Sequence, residues 1–537
     1  MNNLFPTILT TPNFVVGATE DTPFRFEEEG KRECAVKYEY IVQKDCAKIV
    51  VYPSGSPIKY LKLRFSADLS FVDKVLGDQW ERSGLNAYIE WRSVMASRVL
   101  PWYCVLKGGE KTACYGVKTG ANCFAFWQVD THGITLFLNL KSGDDGTDLK
   151  EPLLACELVE TFAENADCFT VVKSFCGRMC EKPVLPKQPI FGVNNWYWAY
   201  GDITKEQVRE EVDCLSQLCQ GTKHKPFLVV DDGWQVSRNP LAEYNGGPWS
   251  PNADFADMQK LAEEIDGKGA QSGLWFRPLL TKEDSLSESI LYKTKDGIVL
   301  DPTHPRTIEK VAQEVRKFRS WGYSLIKHDF TTMDIFGGTG LSSEKHSFSL
   351  RAEKRSFFDK TKTTATAVKE LYQAIQDAFE DGEVISCNAF GHLSAGIHSI
   401  QRVGGDNSGN SFEWTRRHGV NSMMRLPQNE NFFMIDPDCA VFTDKVGVQA
   451  NLDFLKMCAI TGVTAFASIQ PNCLSEKDLA KISDIFKIAD KNELRCQIMD
   501  YEKNANPERF CDLNGVETVF DWDKYYNGSR TVLAWDD

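Results

Sequence analysis

The feature that most constrains the fold is an alternation of short apolar segments with amphipathic helical patterns between residues 190 and 490. This alternation is typical of βα units and a parallel sheet. Eight apolar segments have strand length, and eight strands close a (β/α)8 TIM barrel. They run from Phe191 to Trp196, Pro226 to Asp231, Ser272 to Arg277, Ser324 to Asp329, Glu383 to Asn388, Ile400 to Gly405, Asn431 to Ile435 and Thr461 to Ser468.

The helix between the first two segments carries the clearest local signals. Thr204 and Gln207 form a capping box, and Ile203 with Val208 can form a hydrophobic staple. The interval between the fifth and sixth strands is too short for a full helix. A doubly wound open sheet is the alternative, but no strand is followed by a Gly-rich phosphate loop.

Flanking regions have a different character. Residues 1–185 are rich in short strand patterns without a convincing long helix, which predicts an N-terminal antiparallel β-sandwich. A Pro-rich passage at 181–189 then resembles a linker. We therefore expect a multidomain chain with a sandwich at 1–185, the catalytic barrel at 186–490 and a small C-terminal β region at 491–537.

Composition limits the partners of the protein. The net charge of −14 argues against nucleic acid and anionic membranes, and suits a neutral small-molecule ligand. No apolar run reaches the length of about 18 residues that spans a bilayer. The N-terminus lacks a signal-peptide pattern, and the 17 cysteines form no CxxC pair, so we expect reduced thiols in the cytoplasm. The oligomeric state is left open, a homo-oligomer included.

Polar residues follow the predicted strands, at the end where a barrel places its active site. Lys327 and Asp329 are two residues apart and therefore point to the same side of one strand. A nearby ammonium favours an ionised carboxylate, although a surface ion pair would explain the same pattern. Further strand ends carry Trp196, the pair Asp231 and Asp232, Trp234, Trp275, Asn388, and Arg402 four residues before Asp406.

Clustered carboxylates also suit a metal ion, but here lysine or arginine accompanies them and competes with a cation. His328 is expected to point away from Lys327 and Asp329. We therefore expect no catalytic metal and no cofactor. Two acidic residues on different strands, with tryptophans on the same rim, favour paired-carboxylate chemistry on a sugar.

These strand ends resemble glycoside hydrolase family 36, the α-galactosidases, and the related family 27. The motifs that carry the resemblance are Asn195-Trp196, Asp231-Asp232-Gly233-Trp234, Lys327-x-Asp329 and Arg402-x-x-x-Asp406, in the expected order. The resemblance implies a retaining hydrolysis of terminal α-galactosyl residues from small α-galactosides. Asp329 would be the nucleophile and Asp406 the acid/base, with carboxyl groups about 5–5.5 Å apart. Lys327 would keep Asp329 ionised, while Asp406 would need a raised pKa.

By the same resemblance, the other site residues would bind the sugar. Asp231 and Asp232 would accept hydrogen bonds from the 4- and 6-hydroxyls, Lys327 would reach the 3- and 4-hydroxyls, and Arg402 the 2- or 3-hydroxyl. Trp196 and Trp234 would line the walls of the subsite, and Trp275 and Asn388 belong to the same candidate set.

The sequence departs from the family after the fifth strand, where Cys387-Asn388-Ala389-Phe390-Gly391-His392 replaces a Cys-Ser-Gly-Gly-Gly type stretch. That loop helps to recognise the sugar's 2-position. α-N-acetylgalactosaminidase activity and galactosyl transfer of the raffinose-synthase type therefore remain alternatives. A sugar-binding protein on a degenerate barrel is the non-enzymatic one.

Overall fold

The computed structural model describes residues 4–18, 36–82, 88–238, 244–336 and 355–525. The last twelve residues of the expected C-terminal β region, 526–537, lie outside this range. In the part of the chain that is described, no helix combines the length and the apolar character that crossing a membrane requires.

The N-terminal region contains two antiparallel sheets. Its strands are β1 (Phe14–Ala18), β2 (Tyr38–Val42), β3 (Ala47–Val51), β4 (Tyr60–Ser66), β5 (Lys74–Gly77), β6 (Leu100–Pro101), β7 (Tyr103–Gly108), β8 (Lys111–Val117), β9 (Phe124–Asp130), β10 (Gly133–Asn139) and β11 (Leu153–Glu164). One sheet has the order β1-β4-β10-β9-β6 and the other β2-β3-β11-β8-β7-β5. Buried residues of both sheets belong to one hydrophobic core.

A helix in this region was not expected from the sequence. Residues Cys168–Met179 form α1, which begins at Asp167, whose side chain accepts a hydrogen bond from the amide of Thr170. The segment is rich in β-branched and aromatic residues, which favour strands locally. Its buried face packs on β8 and β11, so tertiary contacts outweigh the local preference.

The middle region supplies a nine-stranded parallel sheet. The strands of this region in chain order are β12 (Phe191–Asn194), β13 (Phe227–Val230), β14 (Gln271–Phe276), β15 (Leu280–Thr281), β16 (Ile290–Lys293), β17 (Ile298–Leu300), β18 (Leu325–His328), β19 (Glu383–Ser386), β20 (Ile400–Arg402), β21 (Met434–Asp436), β22 (Ala440–Phe442) and β23 (Ala465–Ile469). The parallel order is β21-β20-β19-β18-β14-β13-β12-β23-β22, while β15, β16 and β17 form a separate small sheet. All eight predicted strands are confirmed; most are shorter than predicted, and β14, β21 and β23 are shifted by one or more residues.

The edges of the parallel sheet meet through a strand that the sequence did not predict. β21 pairs with β20 and β22 pairs with β23, yet only three residues separate β21 from β22. The amide of Thr464 also donates to the carbonyl of Ile435, at 2.9 Å. The Asp436-Pro437-Asp438 segment therefore connects β21 and β22, which are the two edge strands of the parallel sheet. Because these edges are so close in the chain, the sheet is barrel-like.

Close packing between neighbouring strands explains one glycine. Gly192 has φ +146°, and a Cβ there would lie 1.9 Å from the carbonyl oxygen of Phe227. Only glycine fits, because β12 and β13 approach each other closely at this point.

Helices connect the parallel strands, as predicted. They are α2 (Trp196–Ala199), α3 (Lys205–Leu218), α4 (Met258–Gly267), α5 (Pro305–Ser320), α6 (Thr331–Phe336), α7 (Thr364–Phe379), α8 (Gly391–Ser394), α9 (Phe412–Thr415), α10 (Val448–Thr461) and α11 (Glu476–Lys491). The capping box of Thr204 and Gln207 is confirmed at the start of α3. Only the one-turn α8 lies between β19 and β20, in agreement with the short interval noted in the sequence.

After α11, β24 (Gln497–Ile498), β25 (Arg509–Cys511) and β26 (Glu517–Val519) form a small antiparallel sheet. The division into three domains with boundaries at 185 and 490 stays a prediction.

Candidate active site

The carboxyl ends of the parallel strands bring polar side chains from distant parts of the sequence into contact. β12 and β13 are joined by Asn194 Nδ2, which donates to Asp231 Oδ2 at 2.7 Å. β13 and β18 are joined by Lys327, and β18 and β19 by Asn388. These contacts lie at one end of the sheet, as the sequence predicted.

Asp329, the candidate nucleophile, is buried directly after β18. Its Oδ1 accepts hydrogen bonds from the Phe330 amide at 2.7 Å and from Asn388 Nδ2 at 2.5 Å. Its Oδ2 accepts from the indole nitrogen of Trp275, at 3.1 Å. Three neutral donors from three positions thus hold the carboxylate in one orientation.

The backbone on both sides of this carboxylate is unusual. Phe330 has φ +65° and Asn388 has φ +45°, in the left-handed region that non-glycine residues rarely adopt. Such conformations persist only where the surroundings enforce them, and they concentrate at functional sites. Here they direct a backbone amide and a side-chain amide at the same oxygen of Asp329.

Lys327 has a different partner from the one the sequence suggested. Its ammonium lies 2.7 Å from Asp231 Oδ2, and both side chains are buried. Burial would lower the pKa of Lys327, but the carboxylates of Asp231 and Asp329 raise it above its ordinary value. The direct ion pair is therefore Lys327–Asp231, and Lys327 acts on Asp329 only through the longer-range field.

Asp232 follows on the same strand end. Its Oδ1 accepts a hydrogen bond from Gln235 Nε2 at 2.6 Å, and Oδ2 lies 3.3 Å from Arg238 Nε. Burial raises the pKa of Asp232 to about 6, against the opposing effect of Arg238 and Gln235. Its charge therefore changes near the edge of the physiological range.

Arg402 lies in a compact polar cluster at the end of β20. Its Nη2 donates to Asp438 and Tyr197, and to Asp406 Oδ1 at 3.2 Å. Burial raises the pKa of Asp438 to about 6 in spite of Arg402. Because protein groups already occupy Nη2 and Nε, Arg402 mainly fixes the carboxylates around it.

Asp406, the candidate acid/base, is in an environment that differs from the expectation. Its Oδ1 accepts from Arg82 Nη1 at 2.7 Å, while 54% of its side-chain surface stays exposed. The surrounding protein would raise the pKa of Asp406 by desolvation. Arg82, Arg402 and Lys327 outweigh this effect, and the pKa lies below its ordinary value. The prediction of a raised pKa is wrong for this arrangement, because Arg82 was not foreseen.

The three candidate tryptophans have different environments. Trp275 donates to Asp329, and Trp196 is half-buried, packing on the apolar residues inside the parallel sheet. Trp234 is completely buried, donates to the carbonyl of Trp275 at 2.9 Å, and contacts Trp249, Phe318 and Trp321. It cannot line a subsite wall, because no part of its ring is accessible.

Sequence reasoning missed two groups of the site. Glu81 and Arg82 come from the N-terminal region, more than 200 residues before Asp329, where no motif marks them. Glu81 accepts a hydrogen bond from Thr332, in α6, and burial raises its pKa. Asp438 was not among the candidate residues, although the Asp436-Pro437-Asp438 motif after the seventh predicted strand was a usable signal.

Among the described residues, no group of three or more His, Cys, Asp or Glu side chains is arranged to hold a metal ion. His328 points away from Lys327 and Asp329, as expected, and its Nε2 lies 3.2 Å from Ser386 Oγ.

The fold is similar to that of solved structures of GH36 alpha-galactosidases. The structure of TtGalA, an alpha-galactosidase from Thermus thermophilus in complex with p-nitrophenyl alpha-D-galactopyranoside, matches with a TM-score of 0.60 at 15% identity. That match covers 90% of this chain and 98% of the Thermus chain. The GH36 alpha-galactosidase AgaA from Geobacillus stearothermophilus matches with a TM-score of 0.59 and 14% identity, over 89% of this chain and 71% of AgaA.

Sequence comparison alone reaches less far. No family model matches the chain. A protein from rice (Oryza sativa subsp. japonica) named alpha-galactosidase is 25% identical over 150 residues, which are 27% of this chain and 30% of the rice protein. At these identities the likeness establishes the fold, and the activity has to be argued from the site.

Proposed function

We propose that the protein is a retaining glycoside hydrolase that removes terminal α-galactosyl residues from small α-galactosides. The observation that carries this proposal is the carboxylate of Asp329. It is oriented by Trp275, Asn388 and the Phe330 amide, and a second carboxylate, Asp406, follows β20, which is two strands from β18 in the parallel sheet. We propose with it that the parallel sheet closes as a (β/α)8 barrel around this site.

In the first step, an oxygen of Asp329 attacks the anomeric carbon of the galactosyl residue. The bond between that carbon and the glycosidic oxygen breaks, and Asp406 supplies the proton to the departing oxygen. Trp275 and Asn388 keep the attacking carboxylate in place, so little reorganisation is needed as the bond forms.

In the second step, Asp406 acts as a base. It takes a proton from a water molecule whose oxygen bonds to the anomeric carbon, while the ester bond to Asp329 breaks. Two inversions at the same carbon retain the anomeric configuration. Because the pKa of Asp406 lies below its ordinary value, its carboxylate is ionised and can accept this proton.

Sugar recognition would fall to the buried polar groups at the ends of β12, β13 and β18. Asp231 is held by Lys327 and Asn194, and together with Asp232 it can accept hydrogen bonds from the 4- and 6-hydroxyls. A sugar without an axial 4-hydroxyl would not make these hydrogen bonds to the acidic pair and would bind more weakly. The two carboxylates would thus favour galactose over glucose.

Asn388 is placed to recognise the 2-position. Its Nδ2 is bound to Asp329, while its buried Oδ1 has no hydrogen-bond partner within the described ranges. A buried acceptor without a partner is unfavourable, and a hydroxyl donor from the ligand would relieve it. A 2-hydroxyl next to Asp329 would supply that donor.

The test is hydrolysis of an aryl α-galactoside by wild type and by two variants. We expect Asp329→Asn to abolish turnover, because the amide cannot form the glycosyl ester. We expect Asp406→Ala to keep the first step with a good leaving group but to slow the second, and azide to restore turnover by replacing the activated water. Proton NMR of the first product should show the α-anomer.

The matched control is Asp213→Asn, which changes an exposed aspartate of α3 whose side chain is 52% exposed. It should retain full activity. Undiminished turnover by the folded Asp329→Asn variant, or release of the β-anomer first, would contradict the proposal.

A further inference from the structure

A single arginine from the N-terminal region reaches the candidate acid/base. Arg82 Nη1 donates to Asp406 Oδ1 at 2.7 Å, across 324 positions of sequence, and the Arg82 side chain is only 6% exposed. The contact is therefore a charge-assisted hydrogen bond between a buried guanidinium and a half-exposed carboxylate, and such a bond is stronger than one between neutral groups.

The surroundings of Arg82 indicate that it is not held there for packing alone. Its Nε is buried without a hydrogen-bond partner in the described part of the chain. A buried arginine retained for structure normally satisfies its donors. Its neighbour Glu81 is engaged with Thr332 of α6, so the carboxylate to which Arg82 donates is Asp406.

Within the described ranges, charged and titratable groups from several elements act on Asp406. The groups that favour its ionised form are Arg82, Arg402, Lys327 and His418, and the acidic groups beside it are Asp438 and Tyr197. Arg402 is shared with Asp438, and Lys327 is paired with Asp231. Arg82 is thus the cation committed to Asp406.

On the basis of the proposed function, we propose that Arg82 is a positioning residue that holds Asp406 as an oriented carboxylate and thereby tunes the enzyme to substrates with good leaving groups. An ionised Asp406 is ready to take the proton from water in the second step. In the first step it has no proton to give, so only the protonated fraction of molecules can cleave a poor leaving group. An aryl oxygen can leave without being protonated, whereas an alkyl oxygen needs the proton in order to leave.

The wild-type protein gives the first test. Between pH 5 and 8, the ratio of kcat/KM for an alkyl α-galactoside to kcat/KM for p-nitrophenyl α-galactoside should fall about tenfold for each unit of pH, since the protonated fraction of Asp406 falls by that factor. The titration of Asp232 affects the binding of both galactosides equally and therefore cancels in this ratio. A ratio that does not change with pH would overturn the proposal, even if no Arg82 variant folds.

The second test uses variants of Arg82. The alkaline limb is the part of the alkyl pH profile over which kcat/KM falls as Asp406 loses its proton. Arg82→Gln should move this limb to higher pH by about 1–3 units, because an adjacent opposite charge lowers a carboxyl pKa by about that much. Arg82→Lys keeps the charge and should leave the limb near its wild-type position. A purely structural role would change stability or overall rate in both variants without moving the limb.

Arg64→Gln is the matched control. Arg64 forms a partly buried ion pair with Asp130 in the same N-terminal region, at 2.6 Å, but does not face Asp406. Arg64→Gln should leave the alkaline limb at its wild-type pH. A shift of the limb as large as that in Arg82→Gln would refute the role of Arg82. If the wild type hydrolyses no α-galactoside at all, the proposed function fails. If it does and the limb stays fixed in Arg82→Gln, only the role of Arg82 fails.

Discussion

Galactose binding should depend on the charge of Asp232. Burial raises the pKa of this carboxyl to about 6, and its Oδ1 is held by Gln235 Nε2 at 2.6 Å. With that pKa, about nine molecules in ten carry the charge at pH 7 and about one in ten at pH 5. If the sugar binds the ionised form, the apparent dissociation constant rises about tenfold over these two pH units, because only the competent fraction contributes.

The assay is calorimetric titration of galactose into the wild-type protein at both pH values, with no turnover to interfere. Asp232→Asn should bind more weakly and lose the pH dependence. Asp438 is the alternative source of such a pH dependence, because its pKa is also raised to about 6. It contacts Arg402 and not the acidic pair, so Asp232→Asn distinguishes the two groups. If the tenfold change in affinity persists in Asp232→Asn, the titrating group is Asp438 and not Asp232. Equal affinity of the wild-type protein at pH 5 and pH 7 would refute the reasoning.

Two further predictions concern stability. Lys327→Met removes the partner of the buried Asp231 and should lower the free energy of unfolding, measured by chemical denaturation, by about 3 kcal/mol. This is at the lower end for a broken buried ion pair, because Asn194 still donates a hydrogen bond to Asp231. Lys225→Met breaks the exposed pair with Asp266 and should change little, and a similar loss in both would contradict the argument. Burial raises the pKa of Glu211 from 4.5 to about 7, so the folded state binds more protons than the unfolded state in that window. Stability should fall as pH rises from 4.5 to 7, and Glu211→Gln should make that fall shallower; parallel thermal-unfolding curves for the two proteins would refute it.

Local sequence determined much of the fold because its signals are short-range. The capping box of Thr204 and Gln207 and the strand from Leu325 to His328 depend on neighbouring residues, and both were predictable. Parallel strands align their carboxyl ends, so the sequence also indicated that Asp231, Asp329 and Asn388 share one end of the sheet. α1 is the counterexample, since its strand-like composition is overruled by packing on β8 and β11.

Tertiary structure decided which partner each polar group has. The strand period showed that Lys327 and Asp329 point the same way, but Lys327 pairs with Asp231, which is 96 residues away. Trp234 sits beside the acidic pair in sequence, yet its ring turns into the aromatic cluster outside the sheet. The charge state of Asp406 depends on Arg82, across 324 residues. Electrostatic fields act through space and not along the chain, so sequence identified the groups of the site while only the folded arrangement set their ionisation.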